Sequence, residues 1–251
     1  MASKQCPSLN FTNAADDEHR RRILKGTHMM GNGNPLDTLF DKWELDCRSE
    51  FQRDGIVDEE KYRAAPWKIL FLSKEANNII EDMREQARDA ARRLVRFGTH
   101  GYAYWRTLAR WSYAILNGFA PFNLVKQNYA DSAALLRVAI MNLKKTPGGG
   151  KARPKQIEEF ATQNRDYIIR EIEMVSPQII ICGGVGRVLK GVVNSSESWL
   201  KTSNDLKYFH WQGTPVLDYY HPAYHFLPAS TLDPPLVRAT KELLLPRELC
   251  K

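Results

Sequence analysis

The chain has 251 residues, of which 26% are charged and 43% hydrophobic, and its formal net charge is +7. These values are typical of a globular protein and argue against a fibrous architecture and against disorder throughout. The basic balance favours an anionic partner, and nucleic acid is the first candidate. The four cysteines, Cys6, Cys47, Cys182 and Cys250, form no C-x-x-C pair, which argues against a zinc ribbon and a disulfide framework.

The sequence shows neither the apolar stretch of a signal peptide nor a segment long enough to span a membrane. Residues 1–22 contain no apolar stretch of signal-peptide type. No window approaches the roughly 20 apolar residues of a membrane span. We therefore expect a soluble, cytoplasmic protein that has no membrane partner. We also expect it to act as a monomer.

Residues 1–65 are predicted to form an N-terminal helical extension, of which the polar residues 1–19 are predicted to be a loose segment without regular structure. Within it, Leu36, Phe40 and Trp43 recur at helical spacing. The remaining residues, 66–251, are predicted to form one α/β domain.

Short apolar runs alternate with helical patterns in residues 66–251. The runs are WKILFLS, LLRVAIMNL at 135–143, PQIIICGG, and TPVLDYY with KYFHW before it. Cys182, in the third run, is interpreted as a buried core thiol. Helices are predicted between the runs, at 78–97 and 155–175 among others. This alternation predicts a three-layer α/β sandwich with a mostly parallel central sheet of about four strands.

Two glycine-rich stretches match phosphate-binding motifs only in part. In GGGKA at 148–152, Lys145 takes the place of the first P-loop glycine and Ala152 that of the hydroxyl residue. In GGVG at 183–186, Leu189 stands where a dinucleotide fingerprint has its third glycine. A structural glycine turn is favoured at 183–186, and a nucleotide-dependent α/β enzyme is kept as an alternative.

Arginines recur every four residues from Arg84 to Arg96, with acidic residues beside them. A solvated helix face with many ion pairs is favoured over a stripe that contacts DNA.

Three polar residues lie at the ends of predicted strands, where open α/β sheets bind their ligands. Glu75 follows the first strand, Asn142 ends the second, and His221 follows the last. Each residue alone has an ordinary structural interpretation, but their order along the chain is more specific.

This order resembles the uracil-DNA glycosylase superfamily over about residues 66–245. Ser73-Lys74-Glu75-Ala76-Asn77 matches the family's first loop, Asn142 its base-reading strand residue, IIICGG its apolar strand that ends in glycine, and His221-Pro222-Ala223-Tyr224 its His-Pro loop. The chain departs from the family at Ser73, Ala76 and Ala223, where Gly, Pro and Ser are usual. The scattered cysteines do not form the set that holds an iron–sulfur cluster in some branches.

The resemblance implies a monofunctional DNA glycosylase that hydrolyses the bond between a flipped base and its sugar and leaves an abasic site. Glu75 then handles water or the sugar cation, His221 donates to the departing base, and Asn142 reads the base edge. The expected stacking platform is Tyr102 or Tyr104, with packing in the core as the alternative for either ring. No metal or other cofactor is implied. The side chains expected to enter the space left by the base are those of Tyr224, His225 or Phe226, and the alternative for these three is packing in the core.

Asn77 stands where strict uracil enzymes have an aromatic residue that excludes substituents at pyrimidine C5. We therefore expect a uracil-like or 5-modified pyrimidine as the substrate base, in base excision repair or in defence against modified phage DNA. The alternative function is a nucleic-acid-binding module that kept the fold without catalysis.

Basic residues follow Asn142 closely and are predicted to contact DNA phosphates near the site. The alternative is a solvated basic loop. These residues are Lys144, Lys145, Lys151, Arg153 and Lys155.

Overall fold

The computed structural model describes residues 34–47, 50–77, 81–148 and 153–245, and within them it leaves out the side chains of Ala76 and Asn77. Two predictions therefore lie outside the described residues, namely the loose segment 1–19 and the phosphate contact of Lys151. The same holds for the side chain of Asn77, although its backbone belongs to a strand.

Helices and strands alternate along the described chain. The helices are α1 (Pro35–Cys47), α2 (Glu59–Ala64), α3 (Met83–Phe97), α4 (Ala103–Leu116), α5 (Phe122–Asn128), α6 (Pro154–Gln163), α7 (Arg165–Val175), α8 (Gly186–Val192) and α9 (Ala229–Leu244). The strands are β1 (Gly55–Ile56), β2 (Ile69–Asn77), β3 (Ala139–Gly148), β4 (Ile179–Gly183), β5 (Leu200–Lys201), β6 (Lys207–Trp211) and β7 (Thr214–Tyr219). None of these helices has both the length and the apolar character needed to cross a membrane.

The strands form one mixed sheet with the order β1-β3-β2-β4-β7-β6-β5. The four central strands β3, β2, β4 and β7 are parallel neighbours, whereas β1, β6 and β5 are added antiparallel at the edges. The prediction of a mostly parallel sheet of about four strands is therefore wrong, although the α/β class is right. Strands of two residues, such as β1 and β5, are too short to show an alternating pattern in the sequence.

Side chains alternate between the two faces of the sheet, and each face has its own hydrophobic core. On one face, Leu70 and Met141 pack with helices α1, α6, α7 and α8. On the other, Phe71 and Ile140 pack with α3, α4 and α9. We call this second side the Phe71 face. Helices thus cover both sides of the parallel strands, which explains why those strands are continuous apolar runs. The interpretation of Cys182 as a buried core thiol is confirmed.

The segment predicted as an N-terminal extension packs into the same core as the sheet. Phe40 and Trp43 of α1 are fully buried, and β1 pairs with β3 through Gly55 and Ile140. One hydrophobic cluster therefore spans the predicted boundary at residue 66.

Two predicted elements have different bounds in the structure. The strand predicted at 135–143 is a 3₁₀ turn at Ala134–Arg137 followed by β3, which continues beyond the predicted end to Gly148. The helix predicted at 155–175 is divided into α6 and α7 at Asn164. The side chain of Asn164 accepts a hydrogen bond from Trp43 Nε1 at 2.8 Å, which ties this break to α1.

Candidate functional site

The candidate site lies where the four parallel strands reach their carboxyl ends. β4 ends at Gly183 and β7 at Tyr219, and the pairing of β2 with β4 stops at Leu72. Strands β2 and β3 continue further as a two-stranded ladder. Glu75 and Asn142 therefore lie inside strands, whereas the sequence predicted them after and at the end of strands, because this extra pairing prolongs both runs.

The polar residues of this ladder point to the Phe71 face. Ser73 lies opposite Asn142, and Glu75 lies opposite Lys144. Each is an even number of residues from Phe71 or Ile140, so all four side chains share that face. The candidate residues from distant parts of the sequence therefore line one side of the sheet end.

His221 joins the same group from the other end of the row of strands. Its ring lies 5.7 Å from the ring of Tyr104, and the Tyr104 hydroxyl lies 3.2 Å from Ser73 Oγ. Asn142 lies on β3 and His221 follows β7, and these two strands are three spacings apart, which is about 14 Å along the sheet. The structure thus brings Glu75, Asn142 and His221 to one edge, with Tyr104 beside Ser73 and His221.

The glycine turn after β4 makes room for the His-Pro segment. A Cβ atom at Gly183 would lie 3.0 Å from Pro222 Cδ and 3.5 Å from His221 Cδ2, which is too close for most side chains. Gly184 has a φ of +71°, in the left-handed region that favours glycine. The interpretation of residues 183–186 as a structural turn is therefore supported, because its glycines serve the packing of His221 and Pro222.

The His221 ring is held as a neutral hydrogen-bond donor. Its Nδ1 accepts a hydrogen bond from the backbone N–H of Ala223 at 3.2 Å, so the proton of the neutral ring is on Nε2. Burial, and then the positive charge of Lys74, lower the pKa of His221 to about 4. At neutral pH the ring is therefore uncharged, and its Nε2–H is left to donate to a ligand.

Lys74 is a residue of the site that the sequence reasoning missed. It is half-buried, and its Nζ would lie 3.9 Å from a Cβ atom at Gly184. It makes no ion pair or hydrogen bond within the described residues. Its place between Ser73 and Glu75 in the first motif is the signal in the sequence that points to it.

The Glu75 carboxylate is held from two sides. Lys144 Nζ donates to Glu75 Oε2 at 2.6 Å, and the Glu75 side chain is only 3% exposed. Gly148 lies against the carboxylate so closely that any Cβ atom there would overlap it. Within the described residues, Glu75 Oε1 accepts no hydrogen bond, so Lys144 fixes only one of the two carboxylate oxygens.

Asn142 is part of a buried hydrogen-bond chain. It is 2% exposed, and its Nδ2 donates to Gln52 Oε1 at 3.0 Å. Gln52 Nε2 in turn donates to the backbone carbonyl of Glu81 at 3.0 Å. Because a carbonyl can only accept, it sets the orientation of the Gln52 amide and through it that of Asn142. Gln52 was missed by the sequence reasoning because it belongs to the predicted extension.

Lys145 is buried in a cluster of charges on the opposite side of the sheet. It has no exposed surface, and its Nζ lies 2.5 Å from Asp54 Oδ1 and 2.7 Å from Glu171 Oε2. Its ammonium also lies over the rings of Phe40 and Trp43. Burial, and then the charge of Asp54, raise the pKa of Glu171 well above its usual range.

Apart from Lys151, which lies outside the described residues, the predicted phosphate contacts divide into two groups. The prediction is wrong for Lys145, which is buried, and for Lys144, whose ammonium already donates to Glu75 and to the carbonyls of Thr146 and Pro147. Arg153 and Lys155 are exposed at the start of α6, so their contact with phosphate stays a prediction.

The candidate aromatic residues also differ in their surroundings. Tyr104 lies in the site, and burial raises the pKa of its phenol. Tyr102 is 68% exposed at the start of α4 and contacts His100 instead. Tyr224 donates its backbone N–H to the His221 carbonyl at 2.8 Å. The rings of Tyr224 and His225 both contact Phe226, which is 75% exposed beside the site.

The arginine stripe from Arg84 to Arg96 lies on α3, and most of its members form ion pairs, as predicted. Arg84 pairs with Asp37 and Asp82, and Arg88 pairs with Glu85. Arg92 pairs with Asp89, whereas Arg96 lies over the Phe97 ring, so three of the four arginines have acidic partners, as expected of an ion-paired helix face.

No protein-family model matches the chain, and no curated protein matches it. Within the ranges that the structure describes, no group of three or more His, Cys, Asp or Glu side chains is arranged to hold a metal ion.

Proposed function

We propose that the protein is a monofunctional DNA glycosylase with the three-layer fold of the uracil-DNA glycosylase superfamily. The observation that supports this proposal best is the placement of Asn142, Glu75, Gly183 and His221 on four adjacent parallel strands or just after them. A base reader, a carboxylate, a glycine turn and a neutral His donor then follow one another across a single sheet edge. These groups can together stabilise the leaving base and the sugar cation when a base is cleaved from its sugar.

The reaction breaks the bond between the sugar carbon C1′ and the base nitrogen, and the bonding electrons leave with the base. His221 Nε2–H donates a hydrogen bond to the base carbonyl on which negative charge grows. Its low pKa agrees with this role, because the ring is neutral at pH 7 and its one proton, on Nε2, is available for donation to the base. Water supplies the hydroxyl that joins C1′, and its remaining proton ends on the base or on solvent.

Glu75 stabilises the cationic sugar and orients the attacking water through Oε1. Lys144 holds Oε2, which fixes the carboxylate in one direction. Lys144 is therefore a positioning residue for Glu75 in this proposal.

Asn142 contacts the edge of the flipped base, and Tyr104 supplies a ring for the base to stack on. The base is a pyrimidine, either uracil-like or modified at C5, and the second possibility depends on the small residue at position 77. Removing a base from the helix costs a few kcal/mol, and the exposed aromatic residues after His221 offset this cost by filling its place.

A second candidate function is a nucleic-acid-binding module without turnover. It is favoured by the burial of Glu75 and its ion pair with Lys144, since both restrict the access of water. In that case the residues of the site hold an extruded base and do not cleave its bond.

Glu75→Gln separates the two candidates because it keeps the size of the side chain and removes its charge. A glycosylase loses turnover in this variant and still binds DNA. The comparison uses oligonucleotides that contain uracil, 5-hydroxymethyl pyrimidines or glucosylated cytosine, and it scores alkali-labile abasic sites. Absence of abasic sites with every base, together with tight DNA binding by both proteins, would favour the binding module.

A further inference from the structure

Lys74 is a cation at the candidate site that has no counter-ion among the described residues. Ser73 and Glu75 point to the Phe71 face, so Lys74 leaves the strand on the other side and reaches towards the turn after β4. Its Cε and Nζ would lie 3.7 Å and 3.9 Å from a Cβ atom at Gly184. Its charge is also close enough to His221 to lower the pKa of that ring.

The glycine turn leaves this ammonium uncovered. Gly184 is exposed and has no side chain, so the nearby Lys74 ammonium is not shielded by residue 184. Asp218 on β7 reaches this turn, but its carboxylate accepts a hydrogen bond from the Gly186 backbone N–H at 3.1 Å and makes no ion pair with Lys74 in the described chain. A half-buried ammonium without a partner is unfavourable, and an anionic ligand would remove that cost.

We propose that Lys74 binds a backbone phosphate beside the flipped nucleotide. This inference rests on the proposed function, because it assumes that a nucleic acid lies across the sheet edge. Lysine binds phosphate as a point charge, so a single ammonium near an exposed glycine turn is suited to this contact. It replaces the contacts predicted for Lys144 and Lys145, whose ammonium groups are occupied within the protein.

The test measures how DNA affinity depends on salt. Lys74→Met keeps most of the stem and removes the charge, whereas Lys74→Arg keeps the charge. Neither variant leaves a carboxylate without its partner, since Lys74 has no ion pair in the described residues. Lys126→Met is the matched control, because Lys126 is an exposed lysine on α5, a helix that packs on α4 and α9.

The probes are single-stranded and duplex oligonucleotides that contain an abasic-site analogue. Binding is followed by fluorescence anisotropy between about 50 and 200 mM salt. A pH of about 8 keeps His221 neutral in every variant.

We expect Lys74→Met to lower the slope of log K against log salt by about 0.9 for duplex DNA or about 0.7 for a single strand. Lys74→Arg and Lys126→Met should keep the wild-type slope. An unchanged slope in Lys74→Met would overturn the proposal. Failure of the proposed function would give a different result. Wild-type protein would then release no base, while Lys74→Met would still lower the slope of log K against log salt.

Discussion

The neutral state of His221 can be tested through the pH dependence of stability. Its pKa is lowered to about 4 in the folded protein, against 6.5 for the unperturbed side chain. The unfolded chain therefore binds a proton more readily than the folded protein below about pH 6.5, so the fold loses stability as pH falls towards 4. These two pKa values give a loss of about 2 kcal/mol between about pH 7.5 and about pH 5.

The assay compares wild-type protein with His221→Asn, which has a polar side chain that does not titrate. The free energy of unfolding is measured in urea at both pH values for both proteins. Other groups, including the buried Glu171, titrate in both proteins, so their contributions cancel in the comparison. Wild-type protein should lose about 2 kcal/mol more than the variant as pH is lowered.

Equal losses in the two proteins would refute this reasoning. They would mean that His221 titrates in the folded protein as it does in the unfolded chain. The ring would then be partly charged near neutral pH, and its assignment as a neutral donor would be withdrawn.

Three further substitutions test other parts of the site. Gly148→Ala should displace the Glu75 carboxylate and reduce base release towards the level of a Glu75 variant; full activity would contradict the assigned packing. Lys145→Met should lower the free energy of unfolding by about 3–5 kcal/mol in urea, because it leaves buried carboxyl groups without their cation; an unchanged value would contradict the assigned cluster. Gln52→Leu should reduce kcat/KM about tenfold, because it removes the oxygen that accepts a hydrogen bond from Asn142 Nδ2. A buried donor that loses its acceptor costs about 1–3 kcal/mol. Gln86→Leu is its control, because Gln86 donates to the same backbone carbonyl from the exposed side, and equal effects would contradict a role for Gln52 in orienting the base reader.

The sequence predicted the α/β class and the central strands because buried parallel strands are continuous apolar runs. It also predicted that Glu75, Asn142 and His221 would lie along one edge of the sheet, since parallel strands bring their carboxyl ends to the same edge. The edge strands β1 and β5 were not predictable, because two residues carry no periodic signal.

The charges around the site were harder to predict than its position. Lys145 is part of a basic cluster in the sequence, which indicates an exposed side chain. Its partner Asp54 lies far before it in the sequence, and its partner Glu171 lies well after it. Only the folded sheet brings the three side chains together. The chain from Gln52 to Asn142 is another long-range contact of this kind, for which local patterns give no signal.

The most direct test of the proposed function is detection of the released free base. Wild-type protein is incubated with DNAs that contain uracil, 5-hydroxymethyl pyrimidines or glucosylated cytosine, and the small products are identified by mass spectrometry. We expect one free base and a matching number of abasic sites in the DNA, both absent with Glu75→Gln. Release of nucleotides, or no free base from any of these DNAs, would contradict the proposal that this sheet edge cleaves the bond between base and sugar.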